Sequence, residues 1–437
     1  MADRRLSVCM IVKDEERCLA RCLGSVQPVA DEIIVVDTGS SDRSVEIARR
    51  YTDKVFFHPW NDDFSEARNV SLSHARGDWI LQVDADEVLE QEDVPLLRRT
   101  VRTSESVAVN VALQNELPDG LSVHYFPRLF RRGQAHYEGI VHNQLIYDGP
   151  AETTEIRIHH DGYNLDPQAM ARKYQRTATL LQRHLRESPG DMMAMAQLVR
   201  VYREWGRFDK VLGQVPAALS RCAPDTHPNA HHMLASDLAY ALMQVGRLDE
   251  GVQVCRAALD VHTRSIDLWF ILAGLHFRRH EFSQAAAALR RFLDLRALFT
   301  DQAYADQITM MGAYGQEAQA WHNLGACNQA AGQPEEAVRS FTNACSLAPL
   351  RPDYRLALAQ ALAAKGRDIE ARAHLHETIP MIEEHLAAHA DDAGAMNSLA
   401  TCYLLLGRRE AARLGYQATL AIDPTFLPAH KGLELTS

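Results

Sequence analysis

The sequence predicts an α/β domain built on a mostly parallel sheet, followed by an all-α solenoid of repeats. Up to about residue 165, short apolar runs rich in Val and Ile alternate with helical stretches, the signature of β-α-β units. From Asp166 onward that alternation vanishes and every segment reads as helical. Within this second half an apolar–small pair followed by a turn residue recurs six times. At 437 residues the chain holds two or three domains, and the composition change puts them at 1–165 and 166–437.

In chain order, Ser7–Val12 reads as a buried strand, with Lys13-Asp14-Glu15-Glu16 at its end. Glu15 to Leu23 reads as a helix closed near Gly24. Glu32–Asp37 is a second strand, and Ser41 or Asp42 caps a helix from Ser44 to Tyr51. A short strand at Val55–Phe57 and a helix from Phe64 to Ala75, carrying Arg68 and Asn69, follow. Trp79–Val83 is then a buried strand launched from Gly77-Asp78, with Asp84, Asp86 and Glu87 after it. Beyond it, Glu92–Arg102 reads as a helix, Val107–Leu113 as a strand and Leu117–Gly120 as a turn, with Ile156–Tyr163 closing the domain.

Ligands of open α/β sheets bind beyond the carboxyl ends of the strands. Three such ends converge here: Lys13-Asp14-Glu15, Asp37-Thr38-Gly39 and Asp84-Ala85-Asp86. Side chains two apart on extended chain share a face, so Asp84 and Asp86 are expected to converge on one ligand. Two carboxylates at that spacing suit a hard divalent cation that also holds a diphosphate. Asp37 can accept hydrogen bonds from a base or ribose, and Gly39 lets backbone approach closely. The absence of Gly-x-Gly-x-x-Gly and of Gly-Lys-Ser/Thr argues against a dinucleotide fold and a P-loop.

The net charge of −11 is unevenly placed: 1–165 carries 18 Lys and Arg against 28 Asp and Glu, the remainder 28 against 29. An acidic first domain argues against nucleic acid as its ligand. Eight scattered cysteines lack paired metal spacing, and Cys18 and Cys22, four apart on a helix, read as semi-buried thiols. With no visible signal peptide and no run long enough to span a membrane, a reduced, cytoplasmic protein is expected.

VCMIVKDEE, IIVVDTGSSD, FSEARN and GDWILQVDADE, in this order, resemble the successive motifs of family two, GT-A type glycosyltransferases over roughly residues 5–165. The resemblance implies a nucleotide-sugar donor, a UDP-sugar, with Mn²⁺ or Mg²⁺ as cofactor. It implies that Asp37 contacts the base, that Val12 and Glu15 line the same pocket, and that Arg68 helps hold the nucleotide. Asp84 and Asp86 would be the metal–diphosphate motif, with Asp86 the direct ligand. The family often has a second Asp where Thr38 stands. RLF at 128, EG at 138, VHN at 141 and H-x-GY at 160 are similar to the subgroup of lipopolysaccharide-core glucosyltransferases and bacterial peptide S-glycosyltransferases. Asn143 replaces that subgroup's Glu, which leaves Glu138, His142 and Asp161 as candidate bases, and His160 could complete the metal shell.

The six repeats are Leu198-Val199…Gly206, Leu238-Ala239…Gly246, Leu272-Ala273…His280, Leu324-Gly325…Gly332, Leu358-Ala359…Gly366 and Leu399-Ala400…Gly407. Two of the spacings are 34 residues, and Trp321…Pro349 is the cleanest copy; the array resembles tetratricopeptide repeats. A wider gap implies an insertion around Leu295–Gln319. Arg200, Arg203, Tyr240, Phe270, Phe277, His322 and Asn397 are expected on the inner faces. The combined expectation is a metal-dependent, inverting glycosyltransferase whose repeats present a peptide or protein acceptor or a partner protein; a homodimer is compatible with it. The competing expectations are a glycan acceptor of the lipopolysaccharide-core kind and a non-catalytic repeat scaffold carrying a degenerate transferase domain.

Overall fold

The computed structural model describes residues 4–117, 120–140, 143–160, 167–298 and 313–436. These form two compact units, one holding the described residues up to Val245 and the other those from Gly246.

The first unit opens with the sheet. Its strands are β1 (Leu6–Val12), β2 (Glu32–Asp37), β3 (Val55–Phe57), β4 (Trp79–Gln82), β5 (Glu87–Leu89), β6 (Ala108–Leu117), β7 (Gly120–Arg131) and β10 (Ala151–His160). β8 (Ala135–Glu138) and β9 (Gln144–Tyr147) form a separate hairpin. The sheet order is β3-β2-β1-β4-β7-β6-β10-β5. β3, β2, β1 and β4 are parallel, as are β6 and β10, but β7 runs against both its neighbours and β5 runs against β10. The sheet is therefore mixed, because the chain folds straight back from β6 into β7. Reversal of strand order around β1 opens the crevice at its carboxyl end.

Helices α1 (Leu19–Val26), α2 (Ser44–Ala48), α3 (Phe64–Ser73) and α4 (Val94–Thr103) cover the sheet. Alternation along β1 sorts side chains between two cores: Leu6, Val8, Met10 and Val12 join Leu19, Leu23, Leu97 and Val101 on one face. Cys9 faces the other way with Ile34, Ile80, Phe130 and Tyr137. At the pole opposite the crevice, the buried Glu32 accepts from the Ser7 hydroxyl, the Lys54 ammonium and the amides of Arg76 (2.6 Å) and Gly77 (3.1 Å). Burial opposes its charge, yet Lys54, Ser7 and the Arg76 amide together lower its pKa to about 2.

All elements described from Pro167 are helices: α5 (Pro167–Glu187), α6 (Met192–Glu204), α7 (Phe208–Leu219) and α8 (Pro228–Gln244) in the first unit, and further pairs in the second. Gly206, Gly246, Gly332, Gly366 and Gly407 take φ between +70° and +79°, and His280 takes φ 58° at the equivalent turn. The amides of Arg207, Glu281, Gln333, Arg367 and Arg408 reach back to carbonyls five residues earlier, so these five first helices close through Schellman turns. Gly325 faces Phe341 so closely that a Cβ there would lie 2.7 Å from the ring. Of the expected insertion, the helix Phe282–Leu298 and the one starting at Glu317 bracket residues 299–312, which lie outside the described residues.

Candidate active site

The loops after β1 and β2 are stitched together. Asp14 has φ 56°; its amide donates to Ser40 Oγ (3.0 Å), and its carboxylate accepts from the Ser41 amide (2.7 Å). Glu15 N–H donates to Ser44 Oγ (2.8 Å), and Glu16 N–H to Asp42 (3.0 Å). This stitching delays α1 to Leu19, four residues after its expected start. Asp37 is 5% exposed, and its carboxylate turns onto its own loop, accepting from the amides of Gly39 (3.0 Å) and Ser40 (3.2 Å). Val12 is buried, and its carbonyl accepts from the Thr38 amide at 2.9 Å. Glu15 stands half-buried beside Cys18, whose thiol donates to its Oε2 (3.1 Å). Burial raises the Glu15 pKa, and the negative charge of Asp86 adds to it.

Beyond β4 the chain does not stay extended. Glu87 N–H bonds to the Asp84 carbonyl (3.0 Å), closing a tight turn that sends the two aspartates in different directions. The expectation that Asp84 and Asp86 share a face is corrected accordingly. Asp84 turns onto Arg68, whose Nη2 lies 2.6 and 2.8 Å from its two oxygens, and onto Arg128 at 3.3 Å. Arg128 also grips Glu87, 1% exposed, at 2.6 Å, and Glu87 accepts from the Asp84 amide (2.8 Å). Burial opposes charge on Asp84, but Arg68 and Arg128 hold its pKa below the usual carboxylate range. Glu87 goes the other way: burial pushes its pKa up, Arg128 opposes the rise and Asp84 adds to it. Arg68, expected at the nucleotide, is thus a clamp on the Asp84 turn, and Tyr137 lies against it with the guanidinium 5.1 Å from the ring centre. Its Nε, like that of Arg128, is buried without a hydrogen-bond partner among the described residues.

Asp86 meets His160 instead. β10 lies between β5 and β6, with His160 opposite Glu87 on one side and Asn115 on the other. Asn115 Oδ1 is 2.8 Å from His160 Nδ1, and Asp86 Oδ2 is 3.2 Å from Nε2. An amide oxygen can only accept, so Nδ1 carries the proton and Nε2 faces the carboxylate. Burial works against a charged ring, but Asp86 raises the His160 pKa overall. One imidazole nitrogen and one carboxylate, with the ring oriented from behind by an amide, fit a Mg²⁺- or Mn²⁺-type ion that takes its other ligands from phosphate and water. Among the described residues no group of three or more His, Cys, Asp or Glu gathers as a metal cage.

The FSEARN segment forms α3, capped by Asp63 through the Glu66 amide (3.0 Å). It clasps the β8 strand: Asn69 pairs with both backbone groups of Tyr137 (2.8 and 2.9 Å), and Ser65 donates to the Gly139 carbonyl (2.7 Å). This clasp orients the hairpin on which Glu138 stands exposed, 2.9 Å from His136. Asn143 immediately precedes the return strand, with its Nδ2 buried and unpaired among the described residues. His142 and Asp161, the other candidate bases, lie outside the described residues. Sequence reasoning missed Arg128 and Asn115, and it named Glu87 only as one of the carboxylates after the strand. In the repeats, Arg200 (2.8 Å) and Arg203 (2.9 Å) are bound to the fully buried Asp237, so they serve as internal ties and not as an open recognition face.

The chain matches the profile of Glycosyl transferase family 2 over residues 7–148 and that of the Tetratricopeptide repeat over 236–303 and 329–380. A tetratricopeptide-repeat-containing protein of Synechococcus elongatus is 31% identical over 303 residues, covering 66% of this chain and 74% of that one. The SPbeta prophage-derived glycosyltransferase SunS of Bacillus subtilis is 28% identical over 189 residues, 41% of this chain and 45% of its own length. An uncharacterized glycosyltransferase of Rickettsia typhi is 39% identical over 89 residues, 20% of this chain and 30% of that one. Among solved structures, a tetratricopeptide repeat protein from Parabacteroides merdae is 14% identical with a TM-score of 0.41, over 62% of this chain and 95% of that one. No helix among the described residues is long and apolar enough to cross a membrane.

Proposed function

We propose, on the premise that this chain belongs to glycosyl transferase family 2 and carries tetratricopeptide repeats, that it transfers a sugar from a UDP-sugar to a peptide or protein acceptor with inversion, using Mn²⁺ or Mg²⁺ held by Asp86 and His160. The single observation that carries this reading is the Asp86–His160–Asn115 relay at the mouth of the crevice. Asp86 and His160 would hold a divalent ion there, which would supply neutralisation of negative charge on the diphosphate leaving group. The base and ribose lie against the loops after β1 and β2, between Val12, Glu15 and Asp37. Arg68 and Arg128 hold Asp84, and through it the turn that presents Asp86. Glu138 takes the proton from the acceptor group as it attacks. All eight cysteines are free thiols, which suits a reducing, cytoplasmic setting.

The test uses calorimetry with Mn²⁺ and UDP. Asp86→Ala abolishes metal-dependent UDP binding while the far-ultraviolet circular dichroism stays unchanged, and His160→Ala weakens the same binding. Glu138→Gln leaves it intact but lowers turnover about 10²–10⁴-fold. Unchanged Mn²⁺–UDP affinity in Asp86→Ala would overturn the metal assignment.

A further inference from the structure

Helix α5 carries Arg172, Arg176, Arg183 and Arg186, with Thr179 between them, at steps of four, three, four and three residues. That spacing puts all of them on one face. They line a cavity of about 390 Å³ that Asp62 shares. Asp62, at φ 62° and held by the Trp60 indole N–H (2.8 Å), pairs with Arg183 at 2.6 Å. It supplies one carboxylate for four guanidinium groups. Arg172, Arg176 and Arg186 are exposed and form no ion pair with any described residue.

Arginines that stand just before other helices each pair with an acid three residues on: Arg43 with Glu46, Arg247 with Glu250 and Arg367 with Glu370. Like charges at such spacing cost a helix stability, so an anionic segment laid along this face of α5 would relieve a repulsion. From Arg172 to Arg186 the stripe runs about 21 Å at 1.5 Å per residue, the length of roughly six residues of extended chain. A diphosphate is too compact to engage it all. Guanidinium forks hold carboxylates with two parallel hydrogen bonds, and an extended acidic segment presents several carboxylates along its length. The stripe also starts beside the donor crevice, since the Lys173 charge reaches His160 and the Arg176 charge reaches Glu15.

We infer that the arginine face of α5 is a groove for an extended acidic peptide segment, which, resting on the functional reading above, is an acidic stretch of the polypeptide acceptor. Fluorescence anisotropy of fluorescein-labelled hexaglutamate, titrated with the full chain at low salt, tests it. Arg172→Glu with Arg186→Glu raises the Kd about tenfold or more, and Arg172→Lys with Arg186→Lys recovers part of the loss. Matching thermal melts for both variants and the parent establish that the fold is kept. An unchanged Kd in the charge-reversed variant would overturn the groove, as would tighter binding of an oligothymidylate than of hexaglutamate. Because binding is read without turnover, the two readings fail separately. A chain that binds hexaglutamate through these arginines but transfers no sugar keeps the groove and loses the function. A chain that transfers sugar yet binds the probe equally well with and without the arginines keeps the function and loses the groove.

Discussion

Arg128 is 12% exposed at its side chain and holds two carboxylates that otherwise repel each other, Asp84 and Glu87. Breaking a buried pair by removing one partner strands the remaining charge, at a cost of about 3–5 kcal/mol. Arg128→Met therefore lowers the melting temperature of the sheet domain and loosens the turn that carries Asp86, which a weaker Mn²⁺–UDP titration would register. Glu32 makes a pH-dependent contribution at the other pole. Its folded pKa of about 2 lies below the ordinary value of 4.5. The stability it adds is present above about pH 4.5 and lost as pH falls towards 2, on the order of 3 kcal/mol in full. Glu32→Gln then melts well below the parent at pH 7, and the gap narrows at pH 3. A gap independent of pH would contradict the assignment.

At the scale of elements, the repeat turns were readable because one constraint dominates them: a left-handed residue must end each first helix, and glycine does so without strain. The same reading found His280 in the glycine position, where the structure gives it φ 58°. His280→Gly relieves that strain and stabilises the repeats by about 1 kcal/mol, read as a higher melting temperature. Gly325→Ala destabilises the repeats by about 1–3 kcal/mol, because the new methyl group has no space beside Phe341. The first, second and fourth strands were legible as apolar β-branched runs. What was not legible depends on pairing between distant segments. Arg128 reaches Asp84 across 44 residues because β7 lies antiparallel to β4, and nothing local in PRLF signals this. The same holds for Asn115 behind His160. Local rules also placed α1 too early, since they could not foresee that Ser40 and Ser44 would claim the amides of Asp14 and Glu15.

For the whole molecule, the division of the cores sets the unfolding behaviour. The larger sheet core draws its buried residues from Leu6 to Ile158 only, while separate clusters between Ala337 and Ala429 hold the later repeats. Cores that share no residues need not melt together. Differential scanning calorimetry is expected to show at least two transitions. Arg128→Met shifts only the one belonging to the sheet, and Gly325→Ala only the one belonging to the repeats. A single transition moved by both substitutions would mean that the chain unfolds as one cooperative body.

The strand that delivers His160 contains an irregularity: between Thr153 and Arg157 it advances four residues while β6 advances two, from Asn110 to Ala112. The surplus is an even number, and that parity matters. A strand alternates its faces residue by residue, so an even surplus leaves the phase of everything downstream intact, while an odd one inverts it. Counting is therefore part of the chemistry here. Deleting one residue among Thr154, Glu155 and Ile156 would turn His160 away from Asp86 and bring its neighbour His159, now tied to Glu90 at 3.0 Å, into the vacated phase. Insertions and deletions in this stretch should be tolerated in twos and not in ones.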